Sequence, residues 1–228
     1  SAIAYLGVLA GWATVDAAMA QPALARFIDA LLRDEVAPTI ADKLPGFDLD
    51  AYRAQLLQRF ANPALAHRTQ QIAMDGSQKL PQRWLGTVRD RLAAGAPIDR
   101  LALALAAWVL HLRTQPLDDP LAEALQALHA RAMSKPTAHE RAAEVTRFAA
   151  VFGDLADEPR LVEALARALD ALQSHGVVAA LERCAHASDP RTPALSPGYG
   201  GEGAVQLPLP LPPPKAKPSA SRGRRGLG

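Results

Sequence analysis

Four side chains in the stretch HRTQQIAMDGSQKLPQR could do binding chemistry together: His67, Gln71, Lys79 and Arg83. His67 and Gln71 stand four residues apart, a spacing that puts both on one face of a helix. That face leads toward Asp75-Gly76, a turn dipeptide. Beyond it, Pro81 disfavours helical geometry at Leu80, so Asp75 to Leu80 reads as a loop that delivers Lys79 and Arg83 to the start of the next helix. Cations are misplaced there, because the free N–H groups and the dipole of a helix N-terminus favour anions. Two arrangements relieve the conflict. Either the pair is solvated and Asp75 bridges to it, or a carboxylate or polyol is held between the two cations with Lys79 as hydrogen-bond donor. Spacing leaves both open.

The other chemistry-bearing residues carry less. The histidines at 67, 111, 129, 139, 175 and 186 form no H-x-x-x-H pair with a nearby carboxylate, so no metal site is expected. His111 ends an apolar helix, and His175 precedes Gly176 at a helix C-terminus, where a partly cationic ring is favourable. Cys184, the single cysteine, sits in the helical context LERCAHA and reads as a bystander thiol. One thiol permits no internal disulfide and fits a reducing compartment. GYGGEG, residues 198–203, matches the dinucleotide pattern in letters, but neither a strand precedes it nor a helix follows. PLPPPK and RGRRG could touch a polyproline-binding, nucleic-acid or acidic surface, yet the favoured reading is a solvated linker or low-complexity end, and neither motif carries a specific mechanism.

The elements that must position these residues are helices throughout. The first runs from the N-terminus to about Ala18. A second starts at Pro22, carries Leu24, Phe27, Ile28, Leu31 and Leu32 on one face, and ends at Pro38. Asp48 caps LDAYRAQLLQRF, and Asn62-Pro63 opens a fourth helix, PALAHRTQQIAM. A fifth reaches Ala94. Then come IDRLALALAAWVLHLR, PLAEALQALHARAM, AHERAAEVTRFAAVF, RLVEALARALDALQ and VVAALERCAHA, about ten helices in all. Trp12, Trp84 and Trp108 read as packing residues. The run LALALAAWVL, residues 101–110, is too short to span a bilayer.

From Asp189 the composition changes: residues 189–228 hold nine of the 19 prolines and seven of the 15 glycines, which predicts a disordered tail. From Pro190 onward six Lys/Arg oppose one Glu, a net of +5, which leaves −3 for residues 1–189. The basic character thus belongs to the tail, and nothing in residues 1–188 suggests a nucleic-acid partner. Hydrophobic residues make up 49% of the chain, enough for a core.

Three blocks, SAIAYLGVLAGW, RFANPALAHRTQQIAMDGSQKLPQRW and LALALAAWVLHLR, resemble the C-terminal domain of the mannitol dehydrogenase family, the polyol-specific long-chain dehydrogenases. The second block is most similar to the fructuronate reductase (mannonate oxidoreductase) branch. The resemblance covers about residues 1–187 and implies an all-helical substrate domain. It also implies an N-terminal Rossmann domain that binds NAD, which this chain lacks, and hydride transfer on an open-chain sugar acid or polyol without a metal. The family's catalytic lysine, asparagine and histidine would precede Ser1, so no catalytic residue is expected here and the chain alone should be inactive. Lys79 matches a family lysine that contacts substrate. Gln71 falls where mannitol-type members have arginine. Gln71 and His67 together, with Arg83 beside them, imply a hexuronate in preference to a neutral polyol.

The chain therefore reads as a cytoplasmic fragment of an oxidoreductase: a helical domain over 1–188 and a tail over 189–228. The start in mid-helix pattern at Ser1 agrees with a cut chain. A helical interaction module whose Pro-rich tail recruits a partner is the alternative.

Overall fold

Glycines and prolines set where the helices break, and they do so differently from the simple pattern. The computed structural model describes residues 1–186, with side chains to Cys184; the expected disordered tail lies outside the described residues. Every regular element among them is helical, as expected.

Helix α1 (Ala2–Ala10) ends at Gly11, whose left-handed φ of 79° lets its N–H and that of Trp12 return to the last turn. The expected first helix to Ala18 is therefore two. Thr14 caps a separate α2 (Val15–Met19), its Oγ1 accepting from Ala17 N. Helix α3 (Pro22–Ala30) buries Leu24, Phe27 and Ile28 on one stripe, but it does not stop at Pro38. It passes through a π turn, Leu31–Val36, into α4 (Ala37–Ile40), which contains that proline. The wider turn relaxes the one-to-four hydrogen-bond pattern that proline would otherwise break.

Helix α5 (Leu49–Phe60) begins at Asp48, whose carboxylate accepts from Ala51 N at 2.8 Å, as expected. The expected fourth helix is replaced by a 3-10 turn, Pro63–Leu65, a left-handed Ala66, and a short α6 (Thr69–Ile72). The expected loop Asp75–Leu80 is helical instead: α7 (Gly76–Leu80) continues through a π turn, Pro81–Leu85, into α8 (Gly86–Ala93). Here the proline opens the π turn, and the reversal is confined to Asp75, at φ 55°.

The centre is α9 (Asp99–His111), in which every residue from Arg100 to His111 is buried. Its N-terminal N–H groups need acceptors, and Ile98 at the cap has none. Glu35, delivered by the π turn 31–36, supplies both: Arg100 N and Leu101 N each donate to its carboxylate at 2.8 Å. Burial raises the Glu35 pKa, opposed by those two N–H groups and by the guanidinium of Arg100. α10 (Ala122–Met133), α11 (Ala138–Thr146), α12 (Ala149–Phe152) and α13 (Pro159–His186) complete the shell, with α1 and α13 packed on α9. The last two expected helices meet at Gly176, where φ 75° kinks α13 and places His175 at a helix end. Trp108 is buried, and Trp12 and Trp84 pack against the core as expected. No helix among the described residues is long and apolar enough to cross a membrane.

Candidate functional site

The segment that carries His67 is stitched to the α1–α2 junction by backbone groups. Val15 N donates to His67 O at 2.9 Å, Thr69 N to Ala13 O at 3.0 Å, and Thr69 Oγ1 to Trp12 O at 2.8 Å. Thr14 and Arg68 form a single antiparallel bridge. The approach is close because residue 7 is glycine: a Cβ there would stand 2.8 Å from Thr69 Cγ2. His67 thus lies outside α6, and the expected helical face shared with Gln71 does not form.

His67 instead lines a cavity of about 490 Å³ at the start of α1. Its walls are Ser1 at the cap of α1, Ile3 and Ala4 of α1, Val15 and Asp16 of α2, Arg59 and Phe60 from the end of α5, the 62–67 segment, Ile72 and Arg83. Gln71 faces a different cavity of about 440 Å³, with Arg68, Met74, His111 and Asp118. Of the four residues read from the sequence, the structure brings His67 and Arg83 to one cavity and sends Gln71 to another.

Lys79 sits between the two. Its ammonium donates to Ile72 O at 3.2 Å and to Met74 O at 2.7 Å. These are carbonyls at the end of α6, the pole at which cations are favoured. Ile72 lines the first cavity and Met74 the second. Asp75 does not bridge to Lys79; its carbonyl accepts from Gln78 N and Lys79 N. The anion expected at the following helix start is internal: Asp119 accepts from Ser77 N at 2.8 Å and Ser77 Oγ at 2.6 Å. The charge conflict read from the stretch Asp75 to Arg83 is thereby relieved within the protein, with Asp119 at the α7 N-terminus and Lys79 turned to α6.

Positive charge still concentrates at the start of α1. Arg83 and Lys79 both lie close enough to Ser1 to act on it electrostatically. Among the described residues Ser1 Oγ is buried without a partner, as is the hydroxyl of Tyr5 one turn on. Tyr5 stands edge-on to Trp84, centroids 6.0 Å apart, and 5.4 Å from the His111 ring. Burial, with Asp119 and Asp75 nearby, raises its phenol pKa, while burial holds His111 below its ordinary value. Cys184 is pushed up to about 12, mainly by burial, which suits the expected inert thiol.

Arg59, Asn62 and Asp16 were missed by sequence reading. Arg59 sits in an ordinary helix pattern and Asp16 in a short helix start, so only the fold reveals that they share a cavity with His67. Asp119 was also missed, hidden in the turn sequence LDDP. Among the described residues there is no cluster of three or more His, Cys, Asp or Glu able to hold a metal. Nor is there the strand, glycine turn and helix that a dinucleotide needs.

The cavity can bind a hydroxylated anion: guanidinium and imidazole donors, one carboxylate acceptor and an apolar floor of Ile3, Ala4 and Ile72. Comparison with known proteins identifies the family. The profile described as mannitol dehydrogenase C-terminal domain matches residues 1–173. The chain is 34% identical over 193 residues to mannitol 2-dehydrogenase of Phaeosphaeria nodorum, covering 81% of this chain and 32% of that protein. It is 48% identical over 120 residues to D-mannonate oxidoreductase of Escherichia coli, covering 52% of this chain and 24% of the relative. Among solved structures, the Pseudomonas fluorescens mannitol 2-dehydrogenase ternary complex with NAD and D-mannitol superposes with a TM-score of 0.72 at 29% identity. That match covers 80% of this chain and 37% of the other. The chain thus spans about a third of the length of the proteins it matches.

Proposed function

Since the chain belongs to the mannitol dehydrogenase family through its C-terminal domain, we propose that it is the substrate-binding part of an NAD-dependent oxidoreductase acting on the secondary alcohol or ketone of an open-chain sugar acid. Mannonate and fructuronate are preferred to mannitol and fructose, and the setting is cytoplasmic. The observation that carries this reading is the charge of the 490 Å³ cavity, where Arg59, Arg83 and His67 face one carboxylate, Asp16. A carboxylated ligand meets that surplus of donors, whereas a neutral polyol leaves the guanidiniums without a counter-charge.

In this reading Arg83 and His67 hold the substrate directly. Lys79 uses two of its three N–H donors on the carbonyls of Ile72 and Met74 and offers the third to the ligand. Gln71 lines the neighbouring cavity and does not touch a ligand held in this one. NAD supplies the hydride acceptor, and the residues described here do not build a site for it. They bind and orient the sugar chain, and no general base is assigned among them, so the chain by itself holds substrate without turning it over.

Thermal unfolding of the 1–228 chain with added mannonate tests the proposal. A ligand at a hundred times its dissociation constant stabilises by about 2.7 kcal/mol, and each kcal/mol raises the Tm of a domain this size by about 2–4 °C. Mannonate should raise the Tm by several degrees and mannitol by less. No shift with either ligand would remove the substrate-binding reading.

A further inference from the structure

The cation that closes the cavity from the α5 side has no polar partner among the described residues. Helix α5 carries Arg53 and Arg59 near its middle and end. Arg53 is tied down, with Nε 2.8 Å from Asp29 and a second bond to Asp50. Arg59 makes no hydrogen bond or ion pair among the described residues; its guanidinium lies 5.7 Å from the ring centroid of Phe60. Such stacking occupies the flat face of the group and leaves its N–H edge free. Arg83, on the π turn 81–85, also lacks a polar partner among the described residues and lines the same cavity.

The remaining polar groups define what the pair faces. Asn62 spends its carbonyl on Ala64 N at 3.0 Å, so what it can offer a ligand is its amide N–H groups. Asp16 is the one carboxylate of the lining; it can accept from hydroxyls and repels a second negative charge. Two free guanidiniums, an amide donor and a single acceptor suit a ligand with one carboxylate and several hydroxyls. A dianion would meet Asp16, and a neutral polyol would leave both arginines unpaired.

We propose that Arg59, together with Arg83, binds the substrate carboxylate and sets the preference for a sugar acid over a neutral polyol. This rests on the reading of the cavity as the substrate site. The competing role for Arg59 is a solvated cation at the C-terminal end of α5, where the helix dipole favours it without any ligand.

Calorimetric titration of the 1–228 chain with mannonate and with mannitol separates these. The wild type, Arg59→Gln and Arg59→Lys are compared. Arg59→Gln should weaken mannonate binding about tenfold or more, the range of a lost charge-assisted hydrogen bond, while mannitol binding changes less than about threefold. Arg59→Lys should recover part of the mannonate affinity, since the charge returns without the planar fork. Arg59 is exposed, so the ligand-free Tm of both variants should stay at the wild-type value. Unchanged mannonate affinity, or an equal loss for both ligands, overturns the assignment of Arg59. A wild-type chain that binds neither ligand overturns the substrate-site reading beneath it.

Discussion

The Lys79 ammonium is held by backbone carbonyls at the end of α6 and is not presented by a loop. Its position after a turn dipeptide suggested a loop cation facing a helix N-terminus. The structure gives it a partner that spacing cannot reveal, the paired carbonyls at the end of α6. It therefore holds one wall of each of two cavities. Removing it should cost stability before it costs binding: Lys79→Met leaves two carbonyls without their donor and should lower unfolding free energy by about 1–3 kcal/mol in urea melts without ligand. Unchanged stability would mean that the ammonium is not held there. His67 and Arg83 were legible as side chains able to bind an anion. Arg59 and Asp16 were not, because each looks ordinary within its own helix and the link between them is purely tertiary.

At the scale of elements, what was readable was whatever local chemistry decides. The caps at Asp48 and Asn62, the buried run of α9 and the break before Gly176 follow from residue types alone. The failures cluster at Pro38 and Pro81. Both prolines argue for a helix end, and both are instead absorbed beside π turns, so that α3 runs on to α4 and α7 to α8. The second of these rods is what carries Arg83 to the cavity. Its seating depends on Gly76, where a Cβ would collide with the indole of Trp108 and stand 2.9 Å from the Tyr5 hydroxyl. Gly76→Ala should therefore destabilise by about 1–3 kcal/mol, the usual cost of overpacking. Gly86→Ala on the same rod meets nothing within 4 Å and should instead stabilise by about 0.5–1 kcal/mol through helix propensity. Chemical denaturation of the two variants checks the pair, and a neutral Gly76→Ala would mean that the rod is not seated against α1 and α9 as described.

For the whole molecule, the all-helical architecture was legible because apolar periodicity repeats along the chain. The cavity was not, since it is assembled from α1, α2, α5, the 62–67 segment and the π turn 81–85. Its floor and donors come from residues up to about eighty positions apart in sequence. The proposed site for a sugar acid is the cavity at the start of α1, and one measurement tests it most directly. Backbone amide shifts of the 1–228 chain, followed by heteronuclear NMR during titration with mannonate, locate the bound ligand. Saturable shifts are predicted at residues 2–4, 15–16, 59–67, 72 and 83, with little change around a separate cavity lined by Leu9, Leu110, Arg113, Gln173 and Gly176. Shifts centred on that second cavity, or none at all, would contradict it.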